Sequence, residues 1–156
     1  MHRVLALTAL VGALLVAGGA SPADAATPPR ASLDHFSCRT GSDPRYRRIS
    51  VRAVMRAQPH PSRMALRFEL LFRAPGATYS SSLRGGDLGH WRHPTDPSTL
   101  GQRPDDVWRV TKAVSNLGYQ GTYRFRVTFR WTDTASGQKK QTVLLSPGCR
   151  QGKPGS

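Results

Sequence analysis

The chain contains a single glutamate, Glu69, and eight aspartates, against 23 Lys and Arg. That scarcity of acid excludes most carboxylate catalysis. Glycoside hydrolysis needs two acids flanking a cleft, and Asp105 and Asp106 are chain neighbours in a loop. No Gly-x-Ser-x-Gly occurs. Ser136-Gly137-Gln138-Lys139 matches Ser-x-x-Lys but lacks the companion Ser-Asp-Asn and Lys-Thr-Gly motifs, so it reads as a chance match. Of the two cysteines, neither has a second thiol at local ligand spacing, which argues against a thiolate metal site. His90-Trp91-Arg92-His93 is no better, because residues three apart on a strand point to opposite faces. We therefore expect no enzyme activity, no cofactor and no metal. A second long apolar run is also missing, so no spanning segment is expected in the mature chain.

What is present begins with an export signal. His2 and Arg3 form a basic start, Leu5 to Ala17 is apolar, and Ala23-Asp24-Ala25 supplies a small-x-small cleavage pattern. Residues 1–25 read as a signal peptide, too short in its apolar part to span a membrane as an anchor. Residues 26–31, with Pro28-Pro29, read as a disordered leader, 32–150 as one domain and 151–156 as a frayed tail. Two cysteines in an exported chain are expected to pair. Cys38 and Cys149 lie at the two ends of the domain, and closing so long a loop is worth about 4–5 kcal/mol.

Between the cysteines the hydrophobic period is two, the sign of half-buried strands. Ile49, Val51, Ala53, Met55 and Ala57 share a face, as do Met64, Leu66, Phe68, Leu70 and Phe72. Trp108, Val110 and Val114 share a third, with Lys112 as a misfit. The segment 122–132 is the clearest: Tyr123, Phe125, Val127, Phe129 and Trp131 alternate with Arg124, Arg126, Thr128 and Arg130. Short edge strands are expected in 79–83 and 88–92, and a loop over 93–106. A last strand runs from Lys139 to Ser146, with either Val143 and Leu145 or Thr142 and Leu144 inward. About seven strands and no helix predict an all-β, two-layer antiparallel β-sandwich.

The stretch Asn116-Leu117-Gly118-Tyr119-Gln120-Gly121-Thr122-Tyr123 resembles the corner before the penultimate strand of fibronectin type III and related immunoglobulin-like domains. There a leucine precedes a tyrosine by six positions across a turn, the spacing of Leu117 and Tyr123. The resemblance implies that the tyrosine hydroxyl bonds back to the turn backbone and pins the chain as it crosses between sheets. Taken whole, the chain resembles small exported immunoglobulin-like proteins of high-GC Gram-positive bacteria, a group without an assigned activity. It departs from antibody-type domains in its cysteines, which would join terminal strands and leave the core to packing alone. The fold hosts many functions, so the resemblance carries no functional residues.

The net charge is +14, with 19 Arg to 4 Lys. Such a charge attracts anionic partners whatever the fold, although a GC-rich coding sequence also favours Arg. If segments 64–73 and 122–132 are sheet neighbours, Arg67, Arg73, Arg124, Arg126 and Arg130 fall on one outer face. Guanidinium groups grip phosphate and carboxylate bidentately. Glu69 is expected to pair with one of them across the strands. Nucleic acid is disfavoured because the aromatics of 122–132 point inward. The expectation is a secreted or envelope-associated, monomeric binding or adhesion module whose Arg face meets an anionic cell-wall polymer or an acidic protein. The alternatives are a secreted inhibitor or small-ligand carrier working through loops 84–106, and a structural domain with no specific ligand.

Overall fold

The computed structural model describes residues 27–152; the expected signal at 1–25 lies outside the described residues. Nine strands follow one another: β1 (Ala31–Arg39), β2 (Arg48–Arg56), β3 (Ser62–Arg73), β4 (Ser81–Leu83), β5 (Trp91–Arg92), β6 (Val107–Ser115), β7 (Gly121–Asp133), β8 (Lys139–Leu145) and β9 (Cys149–Gln151). The count exceeds the expected seven: β4 and β5 fall within the short edge strands expected over 79–83 and 88–92, whereas the three-residue β9 was not expected. The order β1-β2-β6 makes one sheet. The order β4-β3-β7-β8 makes the other, with β5 beside β3 and β9 beside β7. Every pairing is antiparallel. The molecule is thus an all-β, two-layer sandwich.

The period-2 pattern explains the layers. From β2, Ile49, Val51, Ala53 and Met55 are completely buried; from β3, Met64, Leu66, Phe68 and Leu70; from β7, Tyr123, Phe125, Val127, Phe129 and Trp131. Burying each such side chain stabilises the fold by about 1.5–3 kcal/mol. Phe68 and Phe125 meet edge to face at 6.0 Å, at the centre of the β3–β7 pair. The Trp131 indole N–H donates to the Arg56 carbonyl at 2.8 Å, tying one sheet to the other. In β8 it is Thr142 and Leu144 that turn inward, leaving Val143 and Leu145 about half exposed. The misfit Lys112 also has a place. It lies on the edge strand β6 with its side chain only 16% exposed, ion-paired to Asp87. An inward charge on an edge strand discourages edge-to-edge association.

Two boundary expectations need correction. The leader was expected to run through Ala31, yet Ala31 opens β1 and the Arg30 carbonyl accepts from the Arg56 N–H. The tail was expected to begin at Gln151, yet Gln151 is buried, pairs with Gly121, and donates from Nε2 to the Arg39 carbonyl at 3.1 Å. Both ends are held by these backbone and side-chain hydrogen bonds. The Cys38–Cys149 disulfide forms, with Cα atoms 5.4 Å apart. It does join terminal strands, but β1 and β9 belong to different sheets and Cys149 is fully buried in the core cluster. The bridge therefore ties the two layers together at one edge, so the core is not held by packing alone.

Candidate anion-binding site

The outer face of the larger sheet is set by the β3–β7 register. Ala65 lies opposite Arg130, Arg67 opposite Thr128, Glu69 opposite Arg126, Leu71 opposite Arg124 and Arg73 opposite Thr122. All five arginines singled out from the sequence share this face, as alternation requires. Their surroundings divide them into three environments.

Arg126 is neutralised. Its Nε and Nη2 donate to the two Glu69 carboxylate oxygens at 2.9 and 2.8 Å, a bidentate fork. Hydrogen bonding to Arg126 is the main reason the Glu69 pKa is lowered, with added attraction from Arg126 and Arg67. Arg67 and Arg130 are engaged differently. Their guanidinium carbons lie 5.0 and 3.9 Å from the centre of the Trp91 ring, within cation–π range. Arg67 also reaches Glu69 at 3.6 Å. The Nε groups of both are buried without a hydrogen-bond partner. These two guanidiniums are committed to a surface tryptophan, so the proposed footprint of five is smaller than expected.

Arg73 and Arg124 remain, both exposed and neither ion-paired among the described residues. A third cation, not singled out from the sequence, joins them. Arg150 on β9 lies opposite Thr122 in register, so Arg73, Thr122 and Arg150 form one row across β3, β7 and β9. Strand spacing places the two outer Cα atoms about 10 Å apart. Two exposed charges held about 10 Å apart repel by only about 0.4 kcal/mol in water; long side chains can spread to such separations, and an anion between them turns the repulsion into attraction. Arg73, Thr122 and Arg150 line an open cleft of about 740 Å³ whose wall is the 74–77 turn. Arg73, Thr122 and Arg124 line a second recess of about 150 Å³ with Leu71, Ser80 and Leu145.

The tyrosine corner positions this cluster. Leu117 is buried. The Tyr119 N–H donates to the Tyr123 hydroxyl, which in turn donates to the Tyr119 carbonyl, both at 2.9 Å. Burial pushes the Tyr123 hydroxyl pKa up, so it stays a donor. Gly121, at φ 140°, lets the start of β7 press against β3, where a Cβ would strike the Phe72 ring at 2.7 Å and the Arg73 carbonyl. Thr122 is thereby seated between Arg73 and Arg150.

Arg47 is the largest feature invisible in the sequence. It is fully buried and donates to the carbonyls of Gly41, Leu117, Ser42 and Gly152 at 2.7, 3.4, 3.2 and 3.3 Å. In the run Arg45-Tyr46-Arg47-Arg48 nothing marks one arginine as the buried one. It clamps the corner and the end of β9 together through carbonyl dipoles, and the Asp43 carboxylate feels its charge.

The loops 84–106 are held by internal contacts. Asp87 pairs with Lys112 and Arg92, and the Lys112 contact is the main cause of its lowered pKa. Asp106 accepts from the N–H groups of Gly101, Gln102 and Arg103 at 2.9–3.0 Å, which lowers its pKa in turn. Among the described residues no group of three or more His, Cys, Asp or Glu could hold a metal ion. No helix among the described residues is long and apolar enough to cross a membrane. No family model, no curated protein and no solved structure matches the chain.

Proposed function

We propose that this chain is an exported, non-catalytic binding module that grips anionic groups of an envelope polymer through the end of its larger sheet. The observation that carries this reading is the Arg73–Thr122–Arg150 row with Arg124 beside it: three exposed guanidiniums, without a carboxylate partner among the described residues, around one hydroxyl. In the middle of the face, Arg126 is consumed by Glu69, and Arg67 and Arg130 by Trp91. Unsatisfied guanidiniums in a concave, solvent-filled cleft favour phosphate, sulfate or carboxylate, which they bind in a fork. The kinship to exported immunoglobulin-like proteins stays part of this reading, supported by the Leu117–Tyr123 corner. The chain acts alone, as a monomer.

The test is retention on phosphocellulose as a function of salt. R73S/R124S/R150S should elute at markedly lower salt than the unaltered protein. R39S/R48S/R109S removes the same charge from exposed positions on the other sheet and should elute nearly as the unaltered protein does. Equal elution of the two triple variants would mean that net charge alone governs retention and would refute the site.

A further inference from the structure

The cation row at the β9 end has a counterpart at the opposite end of the same face. Arg63 on β3 lies opposite Thr132 on β7, which lies opposite Lys139 on β8. Again two cations flank a threonine across three strands. Arg63 and Lys139 are exposed, neither is ion-paired among the described residues, and together with His93 and Arg130 they line a recess of about 220 Å³. From Arg63 to Arg73 the strand β3 rises about 33 Å.

Between the two ends, β3 and β7 carry Arg130, Arg67, Arg126 and Arg124 on the outer face, and Glu69 is the one acid there. The band is narrow. Its β8 flank is neutral, formed by Gln141, Val143 and Leu145. A long, narrow cationic band with a cradle at each end does not match a broad acidic protein face. It matches one extended chain lying along the strands.

We infer that the ligand is a single linear polyanion, free of bases, long enough to reach both the Arg73–Arg150 cradle and the Arg63–Lys139 cradle. The inference rests on the anion-binding reading above and adds length and direction to it. A base-free chain is favoured along the band because Trp91 is half-buried and already engaged by Arg67 and Arg130, whereas base-binding proteins present open aromatic faces; the exposed Tyr79 and Tyr119, chain neighbours of Ser80 and Gln120 at the Arg73 end, are what the oligothymidylate arm below tests. Two linked contacts raise affinity through effective concentration, by about 100-fold or more when the linker matches the span.

Isothermal titration at fixed salt, with tripolyphosphate and with long-chain polyphosphate as probes, tests this. Tripolyphosphate reaches one cradle only. Long-chain polyphosphate should bind the unaltered protein at least about ten-fold tighter. In R63S/K139S that advantage should shrink several-fold, while tripolyphosphate affinity changes by less than about two-fold, because the Arg73–Arg150 cradle is intact and dominates. Circular dichroism checks that the variant is folded; should it not be, R63Q/K139Q at the same exposed positions replaces it. If the long-chain advantage is absent, or persists undiminished in the folded variant, the two-ended inference is wrong although the single cradle stands. If neither probe binds the unaltered protein, both readings fall. An oligothymidylate that binds more tightly than long-chain polyphosphate would overturn the assignment to a base-free chain.

Discussion

Removing the Cys38–Cys149 bridge should damage stability and anion binding together, through one short strand. The bridge closes a loop with a sequence separation of 111. The chain-entropy relation gives about 16 cal/mol/K at that length, or about 4.8 kcal/mol at 25 °C. Residual structure in the unfolded chain lowers this, so the expected cost of C38A/C149A is about 2–5 kcal/mol. Alanine is the replacement of choice because Cys149 is fully buried in the apolar core cluster. With a urea dependence of about 1–3 kcal/mol per molar, the midpoint should fall by about 0.7–5 M. The local effect is more informative. β9 has three residues and pairs only with β7, over Gly121, Thr122 and Tyr123. Its other ties are the Gln151 amide to Arg39 and the Arg47 guanidinium to Gly152. Without the bridge β9 frays at lower cost, and Arg150 leaves its place beside Thr122. Tripolyphosphate affinity of C38A/C149A, measured well below its unfolding midpoint, should therefore drop toward that of R150S, which itself keeps full stability. Urea unfolding followed by tryptophan fluorescence and titration calorimetry read the two effects. A stability loss under about 1 kcal/mol, or anion affinity unchanged in the folded variant, would refute this account of the bridge.

Four further outcomes follow from the geometry. Y123F deletes a hydroxyl that makes two backbone hydrogen bonds and should cost about 1–3 kcal/mol in urea unfolding. F125A opens the centre of the core beside Phe68 and should cost about 3–5 kcal/mol by the same measurement. G121A places a Cβ against Phe72 and the Arg73 carbonyl at a positive φ, so it should lower stability and, by spreading β3 from β7, weaken tripolyphosphate binding. The Glu69 pKa is depressed in the folded protein, so the stability it contributes is full above the ordinary glutamate value of about 4.3 and is lost as pH falls through the lowered value. E69Q should therefore flatten that acid limb at a cost of about 0.5–1 kcal/mol near neutral pH, a small figure because Arg126 is 40% exposed. It should also release Arg126 and raise polyphosphate affinity at pH 7, seen as a shift of binding to higher salt.

Alternation made the sandwich readable. In β7 every second residue is large and apolar, and no helix could bury Tyr123, Phe125, Val127, Phe129 and Trp131 on one stripe. The same alternation placed Arg124, Arg126 and Arg130 on the opposite face before any coordinates. It could not tell which of them were available. Arg126 meets Glu69 across 57 positions of sequence, and Arg67 and Arg130 meet Trp91, whose short strand was expected within 88–92 but whose partners two residues of strand cannot reveal. Arg150 was missed because β9 is too short to show a period. Its role depends on Gly121 letting β7 begin where it does.

The amino-acid order by itself determined the long strands β2, β3, β6 and β7, the buried face of each, and a surface rich in guanidinium, because these depend on periodicity and composition within single segments. It also carried the Leu117–Tyr123 corner, whose spacing is local. Which β8 face turns inward, which arginine is buried at Arg47, and which charges remain unpaired at Arg73, Arg124 and Arg150 were decided only when the strands paired. Register brings together residues far apart in the chain, and the energy of a charge depends on its neighbours in space. No single segment contains that information.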